Sequence, residues 1–540
     1  MPVVSVIVLT RDRPAELERT LAALEFQRFT DFEVVVVGPA GCLDAPGLAR
    51  FRGRVVAAEC AEPNVAAARN IGIRAAAGAI LAFCDDDAAP EPSWLGALCE
   101  GFHAADVGAV GGFVLGPSGV RWQWRAQGFD RCGEAVELDL PEGGQPVVPE
   151  PPPGVTVTTI GTNMAWRRLA LAELGGFDEA YRFYLEETDA DLRLVERGWR
   201  IALAPRAVVH HAFARSARRA SNRAPLSLRE VGASKAVFLR RHAPAGMLDA
   251  ALLAFRAAQR RRLLRFMVAG LTEPPRLASL LAELEAGIAE GLARPDAPPA
   301  DMSARQTTGP GCFVREGPGR GIRLAIIAAR SGRGEAEALA ERAARSGAEV
   351  TLVDIGLLPR PHRVRFDARG FWYHSGGALN WGLRGRPPWA MLQRGEAIMA
   401  ELERARPLRG FDSYLHPETG PWISGGQAIG ARLELDRVYV VETLTCPCRE
   451  FDIILGHAKS GDPAEARGAG QGVRGGTDVE AVEEFAACSC VDSAAPGERL
   501  VKWRESREKE GNEGGVPCRR SWNSVLARDE IDPKGNSYAG

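Results

Sequence analysis

Short, largely apolar runs alternating with helical stretches constrain this chain more than any other feature. Val3 to Leu9 and Phe32 to Val37 are continuous β-branched and aromatic runs. Runs of this kind suit strands buried on both faces of a parallel sheet. Pro14 fits the first turn of a helix that Glu16 to Leu24 continue with helical spacing. Val55-Val56-Ala57 is a weaker third strand. Val65 to Ala77 is an alanine-rich helix closed by Gly78, and Ala79 to Phe83 is a fourth strand. Strand and helix alternating at short spacing predict a doubly wound α/β domain. Ligands of open α/β sheets sit at the carboxyl ends of strands, and there the fourth strand carries Asp85-Asp86-Asp87.

Three carboxylates ending a strand can hold a hard divalent cation. Mg²⁺ or Mn²⁺ takes oxygen ligands, commonly one or two carboxylates together with substrate phosphates. A second acidic cluster, Glu186-Glu187-Thr188-Asp189-Ala190-Asp191, opens a helix reaching to Arg197, where the helix dipole favours acids. A carboxylate near the metal but not bound to it is what general-base chemistry needs. Arg69 and Asn70 precede Gly72, where phosphate oxygens or a nucleotide could be held. Together these residues point to phosphate-ester or pyrophosphate chemistry assisted by a divalent cation.

At 540 residues the chain is too long for one ordinary domain. The expected organisation is an α/β domain over residues 1–225, with a mobile loop from Pro141 to Pro153, then a helical extension over 226–300 and a linker over 301–320. A second, smaller Rossmann-like α/β region follows over 321–460, then a disordered tail over 461–540 that lacks any apolar period. The formal net charge of −2 gives no bulk attraction to nucleic acid, and none is expected as a partner. The eleven cysteines are scattered, as in a reducing compartment. Cys446-Pro447-Cys448 and Cys488-Ser489-Cys490 lack the spacing of common zinc sites. No signal-peptide pattern opens the chain, and the apolar stretch Leu252 to Leu271 is broken by Arg256 and Arg260 to Arg262. A cytoplasmic location is expected. The basic stretch Phe255 to Met267 is read first as a solvated helix packed on the domain. Its alternative is peripheral contact with the inner face of an anionic membrane, which unchanged vesicle partitioning after arginine replacement would overturn.

The motifs also occur in a telling order: Ser5 to Pro14, Ala68-Arg69-Asn70-Ile71-Gly72, Phe83 to Asp87, Gly161-Thr162-Asn163-Met164, Leu174 to Asp178, the Glu186 cluster, Arg197-Gly198-Trp199 and His210. This set resembles the inverting GT-A-type glycosyltransferases of glycosyltransferase family 2, over residues 3–245. The resemblance implies a nucleotide-diphosphate sugar donor, Mg²⁺ or Mn²⁺, a glycan or lipid-linked acceptor, and work in cell-surface polysaccharide synthesis. It implies donor contacts from Thr10, Arg11, Asp12, Arg69, Asn70, Asp85 and Asp86. Asp87, Asp85 and His210 become metal ligands, with neighbouring His211 able to do the same job. Glu187 becomes the base that takes the acceptor proton, with Glu186 its rival and Asp189 close by. Asn163 and Trp166 fall on the acceptor side with Trp122 and Trp124, since aromatic faces suit sugar rings.

Two departures stand out. The acidic pair is Glu186-Glu187 where Glu-Asp is usual in the family, and the second strand ends Val37-Gly38-Pro39-Ala40-Gly41 without the usual acid. Two other readings stay open: a nucleotidyltransferase, which would share a carboxylate-bound metal, and a nucleotide- or glycan-binding module without turnover, which the missing acid favours. The region from Gly321 distantly resembles part of a GT-B-type glycosyltransferase, with no complete second half.

Overall fold

The structure is a computed structural model. It describes residues 2–140, 144–220, 222–296, 298–300, 302, 310, 313–328, 332–356, 358, 360–377, 394–411 and 413–415. The expected tail and both Cys-x-Cys pairs lie outside the described residues.

The first region runs β1 (Val4–Leu9), α1 (Pro14–Leu24), β2 (Phe32–Gly38), β3 (Val56–Glu59), α2 (Val65–Ala75), β4 (Ile80–Asp85), β5 (Ala88–Pro90) and α3 (Trp94–Glu100). It continues through β6 (Val107–Leu115), β7 (Trp122–Trp124), β8 (Gln127–Asp130), β9 (Ala135–Glu137), β10 (Val155–Val157), β11 (Asn163–Arg167), α4 (Arg168–Leu174), α5 (Glu186–Glu196) and β12 (Arg200–His211). The apolar runs form the buried centre of the sheet, with β1 parallel to both β2 and β4. Pro14 stands in the first turn of α1. Asn64 caps α2, its side-chain oxygen accepting from the Ala67 amide at 3.1 Å.

The sheet is mixed. Its order is β3-β2-β1-β4-β11-β6-β12-β5, with β7 on the edge of β6. β11 runs antiparallel between β4 and β6, and β5 runs antiparallel to β12. The chain leaves β4 at Asp85, turns through Asp86 and Asp87, and starts β5 on the far side of the sheet. The sheet therefore curls, and its curl brings β12 back beside the Asp run. β8, β9 and β10 form a separate small sheet.

Helices α6 (Arg229–His242), α7 (Leu248–Val268) and α8 (Pro274–Ala293) follow. Leu252, Phe255, Leu263, Leu280, Leu284 and Ile288 share one apolar cluster among them. Glycine lets α8 close on α6: a Cβ on Gly287 would lie 1.9 Å from the Arg229 carbonyl oxygen. On α7, Arg256 pairs with Glu285 of α8 while Arg260 and Arg261 are exposed. No helix among the described residues is long and apolar enough to cross a membrane.

A second sheet is built from β13 (Arg323–Ile327), α9 (Arg333–Arg345), β14 (Glu349–Ile355), β15 (Arg363–Asp367), β16 (Phe371–Gly376), α10 (Arg394–Arg409) and β17 (Ser413–Leu415). Its order is β15-β16-β14-β13-β17, with only β15 antiparallel to its neighbour. The sheet shares a hydrophobic core with the first region: Phe26 meets Phe366 at 5.9 Å between ring centroids, and Phe51 stacks on Phe313 at 6.0 Å. Phe313 and Val314, inside the stretch expected to be a linker, are buried in that core.

Candidate active site

β4 delivers the Asp run, and each of its three carboxylates meets a different environment. Asp85 is half-buried, and its Oδ2 accepts from the Thr162 hydroxyl at 2.6 Å. Asp86 is fully buried. It accepts from the Thr10 hydroxyl at 2.7 Å and is gripped by Arg13 at 2.5 Å. Burial pushes its carboxyl up to about 8, with Asp87 adding to the rise and Arg13 opposing it. Asp87 Oδ2 accepts from the Ala214 amide at 2.7 Å. Its Oδ1 faces His211 Nε2 at 3.2 Å and makes no hydrogen bond. Burial alone would raise Asp87, but His211 and Arg13 outweigh it and hold the carboxyl well below its usual range.

Ligand atoms of Asp85, Asp87 and His211 all lie within 4.8 Å of one another. Two carboxylate oxygens and an imidazole nitrogen form a donor set suited to Mn²⁺ or Mg²⁺. His211 Nδ1 donates to Gln123 Oε1 at 2.8 Å, which leaves Nε2 as the nitrogen free to coordinate. The unbonded Asp87 oxygen and this imidazole nitrogen point at each other, as two ligands of one cation would.

His210, the residue expected at this position, lies elsewhere. Successive strand residues face opposite sides, so His210 turns away from Asp87. Its Nε2 donates to Glu91 at 2.8 Å, and its ring packs on Trp372 at 4.7 Å.

The second acidic cluster starts α5 after two left-handed residues, Tyr184 (φ 79°) and Leu185 (φ 66°). Bulky side chains rarely adopt that conformation, and it recurs at functional sites. Here it turns Glu186 and Glu187 inward, and each keeps one buried oxygen without a hydrogen bond. Glu186 is paired with the buried Arg69 guanidinium at 2.7 Å. Gly161 makes room for that guanidinium, since a Cβ there would lie 2.0 Å from Arg69 Nη2. Glu187 has no cation of its own and accepts from the Gly161 amide at 3.3 Å. Burial, then the neighbouring Glu186, pushes its carboxyl up to about 8. Gly161 touches Glu187 while Thr162 touches Asp85, so two adjacent residues join the clusters.

Other residues expected in the site are held by the fold. Asp189 accepts from Tyr181, Arg193 and His242 at 3.1, 2.7 and 2.8 Å. Asn70 exchanges hydrogen bonds with both backbone groups of Phe177, at 2.9 and 2.8 Å. Arg11 donates to the carbonyls of Cys60, Ala61 and Glu62, and Asp12 is exposed in a left-handed turn. Asn163 and Trp166 are corrections. Asn163 is buried and spends its amide on Trp94, Phe113 and Ala207. Trp166 is fully buried against Phe177 at 5.9 Å. Neither reaches a surface an acceptor could touch, because β11 runs through the middle of the sheet. Trp124 is likewise buried and stacks on Phe129 at 6.2 Å, whereas Trp122 is 42% exposed.

The structure adds residues that motif reading passed over. Arg13 grips Asp86 and Asp87. Buried Arg219 lies 3.9 Å from Asp87, its Nε without a hydrogen bond. Gln123 orients His211. Only Arg13 had a sequence signal, as the residue just before the proline that starts α1.

A curled mixed sheet with these carboxylates at the end of β4 is consistent with a nucleotide-binding domain of the GT-A type. Residues 2–233 match the family described as glycosyltransferase like family 2. The O-antigen biosynthesis protein RfbC of Myxococcus xanthus is 30% identical over 225 residues, 39% of this chain and 17% of that protein. The chain thus spans 17% of the length of that relative. Among solved structures, a crystal structure of GalNAc-T7 with UDP, GalNAc and Mn²⁺ aligns with a TM-score of 0.33 and 14% identity. It covers 44% of this chain and 48% of that one, a likeness too low to carry an argument.

Proposed function

We propose that residues 1–225 form a metal-dependent inverting glycosyltransferase. It moves a sugar from a nucleotide-diphosphate sugar to a hydroxyl of a glycan or lipid-linked acceptor in cell-surface polysaccharide synthesis, on the cytoplasmic side. One observation carries the reading: a cation-ligand set and an unpaired, high-pKa carboxylate are joined through Gly161 and Thr162. The family of residues 2–233 and the O-antigen role in the relative's name support the substrate class.

In this reading Asp85, Asp87 and His211 hold the cation. A divalent ion there would neutralise charge on the leaving diphosphate. Arg13 and Arg219 bring further positive charge to the same place. Glu187 takes the proton from the attacking hydroxyl as the oxygen closes on the anomeric carbon. Its raised pKa makes it a strong base once ionised. Glu186 stays committed to Arg69 and holds that guanidinium in place. Trp122, exposed on β7, offers a face to the acceptor.

The test is thermal stability of the full chain against a panel of nucleotide diphosphates and their sugars, with and without Mn²⁺. A ligand at a hundred times its dissociation constant adds about 2.7 kcal/mol. Stabilisation by one nucleotide, dependent on Mn²⁺ and lost in Asp87→Ala, is the expected result. Absence of stabilisation by any member overturns the reading in favour of a module without turnover.

A further inference from the structure

Behind the candidate metal site lies a buried ionic network that extends beyond the residues matching the family. Arg409 ends α10, far beyond residue 233. Its guanidinium meets Glu91 in a two-pronged bridge, Nε to Oε2 at 2.8 Å and Nη2 to Oε1 at 2.7 Å. Both side chains are buried. The same carboxylate accepts from His210 Nε2 at 2.8 Å. Trp372 of β16 closes the assembly, with the Arg409 guanidinium 4.0 Å above its ring and the His210 ring 4.7 Å away. Burial alone would raise the Glu91 carboxyl, but Arg409 and His210 together outweigh it and hold the group well below its usual range.

Glu91 is tied directly to the metal-ligand backbone. Its amide donates to the Val208 carbonyl at 3.0 Å. Moving back along β5, Pro90 pairs with Val209, Ala89 with His210 and Ala88 with His211. At the end of that ladder the Ala212 amide donates to the Asp87 carbonyl at 2.8 Å. The ladder is three residues on each strand, and together with the pairing of β12 to β6 and the Gln123 contact it sets His211 beside Asp87. So short a ladder has little stiffness of its own. Glu91 holds the far end of the ladder and, through its carboxylate, the His210 side chain of the middle rung, and Arg409 holds Glu91.

We propose that Arg409 is a positioning residue for the metal site, acting through Glu91 and His210 on the register of Asp87 and His211. This rests on the reading that Asp85, Asp87 and His211 hold a divalent cation. It gives the second sheet and α10 a role in the first region's chemistry: they brace the donor site from behind. A buried carboxylate stripped of its arginine must take up a proton or turn towards water. Either response loosens the ladder that ends at the ligands. Partners bonded directly to metal ligands commonly change metal affinity by about 10- to 100-fold, and Arg409, standing further back, is expected at the lower end.

The experiment is a Mn²⁺ titration of the full chain followed by the electron paramagnetic resonance signal of free Mn²⁺, with near-ultraviolet circular dichroism as the check on folding. Arg409→Met is expected to bind Mn²⁺ at least about tenfold more weakly. Arg409→Lys keeps the charge but loses the planar two-pronged geometry, and is expected to bind several-fold more weakly. Arg315→Met is the control. It removes an ion pair with Glu25 between the same two regions, away from Glu91, and should bind as wild type does. Wild-type affinity in folded Arg409→Met overturns the proposal, and so does an equal loss in Arg315→Met. If Arg409→Met does not fold, Arg409→Lys decides, with wild-type affinity again the overturning result. Failure of the wild-type chain to bind Mn²⁺ would instead overturn the metal reading on which the proposal stands.

Discussion

Asp87 and Glu187 are both buried carboxylates, joined to each other through Gly161, Thr162 and Asp85, yet their surroundings drive them in opposite directions. Asp87 faces His211, Arg13 and the Ala214 amide, and its carboxyl is held low. Glu187 faces another glutamate and a long contact from the Gly161 amide, and its carboxyl is driven up to about 8. Burial raises both. The neighbours decide the sign. A group that must stay charged to hold a cation is surrounded by cations. A group that must take up a proton is left without one. Arg69 completes the contrast by pairing with Glu186 and leaving Glu187 unpaired.

The sharpest way to break this contrast is to exchange the glutamates' roles. Glu187→Gln should lower kcat by about 10³-fold, within the usual range for a lost general base, and keep Mn²⁺-dependent stabilisation by the donor nucleotide. Steady-state kinetics of Glu186→Gln beside it decides the assignment. Full loss there with little loss in Glu187→Gln would make Glu186 the base.

A smaller effect probes the metal side. Gln123→Leu removes the acceptor that fixes the His211 tautomer and should weaken Mn²⁺ binding by about tenfold, measured by the same titration as above. Unchanged affinity would mean that His211 does not coordinate.

The last effect is in stability against pH. The folded Glu187 carboxyl lies near 8 and its ordinary value near 4.5, so between these values the folded state holds a proton that the unfolded state has released. The contribution is present below about pH 4.5 and lost as pH rises through about 8, at up to about 1.4 kcal/mol per pH unit. Asp86, also raised, acts in the same direction. Urea melts from pH 5 to 8 should show falling stability in the wild type and a shallower fall in Glu187→Gln. Equal slopes would show Glu187 ionised throughout.

Much of the first region was legible in the sequence, because β-branched runs and proline and glycine punctuation act locally. The strand ending in Asp85, the helix opening at Glu186 and Gly161-Thr162 stand where the motifs put them. Antiparallel β11 was not legible, because strand direction depends on distant pairing. His210 and His211 show the same limit at one residue. β12 slips its register against β6 between Ala204 and Val208, and an irregularity of that kind breaks the alternation of facing side chains. The face of the two histidines therefore cannot be counted from the start of the strand. Asn163 and Trp166 read as surface candidates by residue type, but a central strand buried both faces.

The sequence by itself determined which residues could do chemistry: the Asp run, the glutamate pair, the histidine pair, and the strands and helices that carry them. Local sterics and hydrophobic period specify those elements. Only the tertiary structure decided which members of each set are free to act. Arg69 reaches Glu186 across more than a hundred residues of chain, Gln123 reaches His211, and Arg409 reaches Glu91 from α10. Ion pairing and desolvation depend on distances of a few ångströms, and the chain sets those distances only when it closes on itself.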